Sequence, residues 1–408
     1  MSTPRTARFL LEPATIRERC HEVLAAGLDG RLQHFAIDLD TLPAVAERVV
    51  ATTRARYPDL TVPYHSRWGH FRVGGVDRVA AFEERIAHLD EREKGRTRVA
   101  FVITSVLLDA GAGPDWSYRE GHAAYRRSEG LAVASYHMFV SGAFSAMEAD
   151  LLRADADELI DMDEELAAGF QVTDENPLVG LEGRSALMRS LGAAIVARPD
   201  IFGDEGRLGG FFDHLMGQVE DQRLAAPTIL AAVLEGLGSV WPGRLERDGI
   251  PLGDTWPHPA AGATDENQDT RGLVPFHKLS QWLSYSLIEP LEAAGVSVTD
   301  LDQLTGLAEY RNGGLFVDGG VLVPRHESVV TETHAPGSEV VVEWRALTVA
   351  LLDRIAVDVR DQLGLDARQF PLAKVLEGGT WHAGRAIALE KRADGTPPIR
   401  IESDGTVF

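Results

Sequence analysis

The chain has 408 residues, 44% hydrophobic and 25% charged, which suits a folded protein with more than one core and excludes a largely disordered chain. Its net charge of -22 repels nucleic-acid phosphates and disfavours DNA or RNA as partners, although a few Arg or Lys residues inside a cleft can still receive a small phosphorylated substrate. One cysteine, Cys20, excludes an intrachain disulfide and a Cys-rich zinc site; Met1 to Pro13 lacks a signal-peptide core and no long apolar run suggests a membrane span, so a cytoplasmic protein is expected.

Helical periodicity dominates. Helices are expected over Pro13 to Ala26 and Leu42 to Tyr57, the latter with Val45, Val49 and Val50 on one side. Arg78 to Lys94 reads as one charged helix with Phe82, Ile86 and Leu89 in a stripe. Val99 to Leu108 is nearly all apolar and fits either a buried strand or a core helix. Asp109 to Ser117 is a loop, Leu131 to Met147 a buried helix, and Asp155 to Glu165 a solvated acidic face without the ligand spacing of a calcium loop. Pro177 to Val196 and Ile229 to Leu237 are further helices, the second ended by Gly238 and Pro242.

The Pro- and Gly-rich stretch 244–272 is either a long functional loop or the seam of a single two-lobed unit spanning 1–408. Val274 to Glu289 is helical, stopped or kinked by Pro290. Trp344 to Leu363 is the last long helix, and the tail from Leu389 to Phe408 could hold a hairpin.

Four segments could carry chemistry. Pro275 to Ser286 places His277, Gln281 and Ser284 near one helix face, with Lys278 and Gln281 as neighbours. Leu304 to Leu322 has Gly306 for a tight turn, then Glu309 and Arg311, with Gly313 and Gly314 allowing close backbone approach to a ligand and Gly319 and Gly320 a further turn. Pro63 to Arg78 offers Arg67, Arg72 and Arg78 as bidentate phosphate receivers, and places His65 and His70 five apart, unlike a helical metal pair. Leu376 to Arg385 could touch a ligand through Glu377, Trp381 and Arg385, or could be a capped helix whose Trp fills the core; Glu343, Trp344 and Arg345 pose the same choice. Phosphate-loop, Rossmann, nucleophile-elbow and His-Glu-x-x-His patterns do not occur.

The words Tyr64-His-Ser-Arg-Trp-Gly-His-Phe, Phe276-His-Lys-Leu-Ser-Gln-Trp-Leu, Glu309-Tyr-Arg-Asn-Gly-Gly-Leu, Val342-Glu-Trp-Arg-Ala-Leu-Thr-Val and Leu376-Glu-Gly-Gly-Thr-Trp resemble a fungal and bacterial family tied to a uracil-catabolism route through ribosylurea. More distantly, Lys278-x-x-Gln281, Leu304-Thr305, Ala308-Glu-Tyr-Arg311 and Gly320-Val-Leu322 resemble the queuosine-salvage nucleosidases. That likeness implies a mainly α, multi-helix bundle of helix-hairpin-helix DNA-glycosylase type with few short strands. It also implies cleavage of the N-glycosidic bond of a nucleoside 5′-phosphate by a carboxylate. Glu309 stands where that family has Asp, and Asn312-Gly-Gly replaces its Val-Pro-Gln, so a different leaving group is implied.

The expectation is hydrolysis of ribosylurea, or its 5′-phosphate, to urea and ribose or ribose 5-phosphate. Glu309, kept ionised by Arg311, would stabilise the developing sugar cation and act on water. His277 would donate the proton, Gln281 and Asn312 would bind the urea amide, and Lys278, Arg311 and Arg67 would hold phosphate, with no metal and no cofactor. Two alternatives stand beside it: a metal-assisted amidohydrolase of the same route, with His65, His70, Asp213, His214 and His277 as ligand candidates, or a non-catalytic pathway partner. Oligomeric state is not readable from the sequence.

Overall fold

A computed structural model describes residues 6–109, 111–241 and 245–402. Arg244 and Pro242, the first residues of the N-terminus and positions 403–408 of the expected tail hairpin lie outside the described residues. The fold is mainly α, with only two-stranded sheets among the described residues. None of the described helices is long and apolar enough to cross a membrane.

The chain divides into two units. Unit 1 takes the described residues up to His65, those of 245–281 and those of 300–402; unit 2 takes those of 66–241 and 282–299. The crossings fall after His65, beside the undescribed 242–244, after Gln281 and after Thr299.

Unit 1 is organised around the helix Glu339–Leu363. Every residue from Val340 to Leu352 on it is buried, charged ones included, so it has no solvated face over that length. The helices Pro13–Leu28, Leu42–Arg56 and Tyr310–Asp318 pack against it, and Trp381–Lys391 packs on Tyr310–Asp318. Three antiparallel pairs join distant segments or close turns: Phe35–Ile37 with Leu322–Pro324, Thr255–Pro257 with Leu273–Pro275, and Glu246–Arg247 with Ile250–Pro251. The tail makes no hairpin in its described part. Arg400–Ile401 pairs in parallel with Thr333–His334, a partner too far along the chain for local alternation to reveal.

Unit 2 has its core on the helix Glu91–Leu107, which resolves Val99 to Leu108 as helix rather than strand. Trp68, Phe71, Phe82, Phe101 and Phe139 cluster about it. The single helix expected over Arg78 to Lys94 is two, Arg78–Ile86 and Glu91–Leu107. Asp90 is the reason: extended at φ -69, ψ 166, it accepts from the Glu93 N–H at 2.9 Å and starts a new helix.

The helix Lys278–Ala293 gives its first turn to unit 1 and the rest to unit 2. It starts later than Val274, which belongs to a strand, and it runs past Pro290. Proline cannot donate to the Ser286 carbonyl; the indole N–H of Trp68 does so instead, at 2.9 Å.

Candidate active site

The site in unit 1 is built from two helix starts. The pairing of Thr255 with Pro275 sets Asp254 opposite Phe276, whose N–H donates to the Asp254 carbonyl at 2.9 Å. The Asp254 carboxylate then accepts from the Lys278 N–H at 3.1 Å, from the Trp256 indole at 2.6 Å, and from both Arg345 terminal nitrogens at 2.8 and 2.7 Å. Burial pushes this carboxyl's pKa up, but the Arg345 charge and hydrogen bonds outweigh it and hold it below the ordinary range. Arg345 also stacks on Phe276, 4.1 Å from its ring centre, and its Nε reaches the Ala308 carbonyl at 3.4 Å. One buried arginine therefore ties the start of the Lys278 helix to the residue before Glu309.

The second start is Glu309. Residues 305–309 belong to no helix or strand, and Gly306 has no positive φ; a Cβ there would meet Leu352 at 2.5 Å, so close packing is its role. Gln281 anchors this stretch, its Nε2 donating to Thr305 Oγ1 at 2.7 Å. Glu309 caps the helix Tyr310–Asp318, its carboxylate accepting from the N–H groups of Arg311 at 2.7 Å and Asn312 at 2.5 Å. Only 8% of Glu309 is exposed. Burial raises its pKa, against the pull of those two N–H groups and of the Lys278 and His65 charges. The expectation that Arg311 would favour ionisation holds for its backbone N–H alone. The guanidinium donates to the Gly395 carbonyl at 2.9 Å and lies over the Tyr310 ring.

His65 adds a third group. Its Nδ1–H donates to Glu377 at 2.9 Å, and Tyr57 donates to the other Glu377 oxygen at 3.2 Å. Burial pushes Glu377 up, yet His382 and His65 hold it well below the usual carboxylate range, so it stays a firm anion behind the imidazole. Lys278 and His65 thus both stand within electrostatic reach of Glu309.

Other expected residues lie elsewhere or face other partners. His277 precedes its helix at φ 44 and is buried; its Nε2–H donates to the Leu10 carbonyl at 2.9 Å, and burial lowers its pKa. It does not share a helix face with Gln281, because it is not on the helix. Arg67 is in unit 2, fully buried, paired with Asp109 at 3.0 Å and bonded to Ser105 and Ser128. Asn312 is fully buried, and neither end of its amide has a hydrogen-bond partner among the described residues. Gly313 and Gly314 sit inside the helix; a Cβ on Gly313 would strike Trp344 at 2.7 Å, so this glycine admits an indole rather than a ligand. Of the amidohydrolase candidates, Asp213 is bound by Arg92 and Arg96, and the one three-ligand cluster among the described residues uses different side chains. Neither the electrostatic influence of His65 on Glu309 nor the cap at Asp254 has a spacing signature in the sequence.

The features define a mainly α protein with a buried carboxylate, a lysine and a carboxylate-backed histidine gathered in one unit. The chain belongs to the family described as "Protein of unknown function (DUF1688)", which matches residues 9–408. It is 40% identical to Uracil catabolism protein 4 of Lachancea kluyveri over 442 aligned residues, covering all of both chains. It is also 40% identical to Protein urg3 of Schizosaccharomyces pombe over 417, again covering both completely.

Proposed function

We propose that this protein acts in uracil catabolism, as the name of its Lachancea relative says of that protein, and that its reaction is hydrolysis of the N-ribosidic bond of ribosylurea or its 5′-phosphate. The observation that carries the reading is Glu309: a nearly buried carboxylate, capped by two backbone N–H groups, with Lys278 and His65 in its field. A carboxylate with a raised pKa in such a setting is the usual mark of a working group.

Water adds to C1′ as the C1′–N bond breaks, the urea nitrogen takes a proton, and ribose or its phosphate leaves with the new hydroxyl. Glu309 stabilises the oxocarbenium-like transition state and takes the proton of the incoming water. Proton donation to urea falls to His65, whose Nε2 is left for the substrate because Nδ1–H is held by Glu377. His277 is engaged with the Leu10 carbonyl and is the weaker choice for that step. General acid help of this kind is typically worth roughly 10²–10⁴-fold. Asn312 supplies the amide that matches urea, and Lys278 holds the phosphate. Arg311 contributes through its backbone, and Arg67 receives no phosphate role because Asp109 already pairs it.

The experiment supplies purified protein with ribosylurea and with its 5′-phosphate and measures urea and reducing sugar. Glu309→Gln should lower kcat by at least about 10²-fold with unchanged circular dichroism. Full turnover in that variant removes Glu309 from the mechanism, and absence of urea from either substrate with wild-type protein removes the reaction.

A further inference from the structure

A second cluster in unit 1 uses none of the residues given a role in the Glu309 site. Glu339 and Glu343 stand four apart on the first turns of the helix Glu339–Leu363, so both carboxylates lie on one face. Like charges at that spacing repel, and Glu343 is completely buried. His34, just before the strand Phe35–Ile37, meets them; one ligand atom from each of the three lies within 4.8 Å of the others.

The surrounding hydrogen bonds orient His34 and Glu343. His326 Nδ1 is 2.6 Å from Ser328 Oγ, and His326 Nε2 is 3.0 Å from His34 Nδ1. With His326 Nδ1–H donating to the hydroxyl, Nε2 carries a lone pair and accepts from His34 Nδ1–H. The free lone pair of His34 is then on Nε2, the nitrogen 3.8 Å from Glu339 Oε1. The opposite polarity would place a proton on Nε2, facing that carboxylate at a distance too long for a hydrogen bond. Two ligands of one ion, each roughly 2.1 Å from it, stand about 3–3.5 Å apart; His34 Nε2 and Glu339 Oε1 are 3.8 Å apart and the three ligand atoms lie within 4.8 Å, so the side chains draw in when the ion binds.

Glu343 is held as firmly. Its Oε1 accepts from the N–H groups of His34 at 3.1 Å and Phe35 at 2.9 Å. Its Oε2 faces His258 Nε2 at 3.5 Å. The Ala260 N–H donates to His258 Nδ1 at 3.2 Å, which puts the His258 proton on Nε2 and makes that ring a donor to Glu343, not a ligand. Metal-binding side chains are usually oriented by outer partners of this kind.

We propose that His34 Nε2, Glu339 and Glu343 bind a divalent first-row transition-metal ion. One imidazole and two carboxylates suit zinc or manganese, whereas the imidazole argues against calcium and the lack of thiolates against copper(I). The side chain of Glu339 is 36% exposed, against 15% for His34 and none for Glu343, so the ion is reached from the Glu339 side. Three protein ligands leave at least one position for water or a carbonyl oxygen. The proposal stands apart from the Glu309 reading, and its test reads no turnover.

Purified protein is stripped with chelator, equilibrated with zinc or manganese alone, desalted, and assayed for metal per chain and for affinity by competition. Wild type should retain one ion per chain. Glu339→Gln and His34→Gln should each weaken retention at least 10-fold, and His326→Ala 10–100-fold. Glu377→Gln should retain the ion as wild type does. Glu339 is partly exposed, so Glu339→Gln keeps the test decisive if His34→Gln fails to fold. Absence of stoichiometric metal in wild type, or equal retention by Glu339→Gln, overturns the proposal.

Discussion

Asp254→Asn isolates the pair that aligns the two helix starts, Arg345 buried and the Asp254 side chain 15% exposed. The substitution keeps the shape of the side chain and an oxygen for the Trp256 indole, but removes the charge facing the Arg345 guanidinium, whose two bonds to Asp254 are 2.8 and 2.7 Å. Arg345 is 2% exposed and so loses its anion without gaining water. Breaking a buried pair by removing one partner costs about 3–5 kcal/mol. The remaining stacking on Phe276 and the retained indole bond place the expectation near the lower figure, about 3 kcal/mol at pH 7. Urea unfolding followed by circular dichroism measures it as a shift in midpoint at unchanged slope. The pH dependence gives an internal check. Asp254 has a folded pKa below its ordinary value of 3.8, so its contribution is complete above that pH and disappears as pH falls through the folded value. The wild type and the variant should therefore converge in acid. A loss under about 1 kcal/mol at neutral pH, or a gap that persists when Asp254 is protonated, would refute the assignment of this pair as the clamp.

The pH profile of urea release should show an acid limb above 4.5, because burial raises Glu309 and the reaction needs it ionised; activity falls as pH drops through that limb, and Lys278→Met should push the limb higher by removing an opposing cation. Gly384→Ala would place a Cβ 2.2 Å from the Arg311 carbonyl oxygen, forcing the helices Trp381–Lys391 and Tyr310–Asp318 apart; urea unfolding should register a loss of about 1–3 kcal/mol, and kcat should fall as the N–H groups around Glu309 move. Asn312→Leu removes a buried amide that has no partner among the described residues, so calorimetry should find stability unchanged or raised by about 1–3 kcal/mol while KM rises; lowered stability with unchanged KM would show a structural amide instead.

Long amphipathic runs were legible because apolar spacing survives whatever packs on it: Pro13–Leu28, Leu42–Arg56 and Leu181–Ala197 lie where periodicity placed them, within a few residues. A side-chain cap, by contrast, can interrupt a periodic stripe without disturbing it, as Asp90 does between Phe82 and Val99. His277 shows why spacing arguments fail at a boundary. The i, i+4 relation to Gln281 requires both residues to be helical, and a positive φ at His277 turns its ring away to Leu10. Glu309, Lys278 and Gln281 were singled out from composition and resemblance, and all three fall in unit 1. The field that links His65 to Glu309, and the Glu377 anion behind it, arise from residues separated widely along the chain, which no local window can join.

The strand Phe35–Ile37 has its only described ladder partner in Leu322–Pro324. During synthesis it must wait for a segment that emerges roughly 290 residues later, a delay of about 15–60 s at ordinary elongation rates. The nascent N-terminal portion therefore spends that interval with an open backbone edge and with no Glu339–Leu363 helix to cover its apolar faces. Cells making this protein quickly should find its early fragments captured by chaperones, because the N-terminal part of unit 1 has no partner until the Leu322 segment is made.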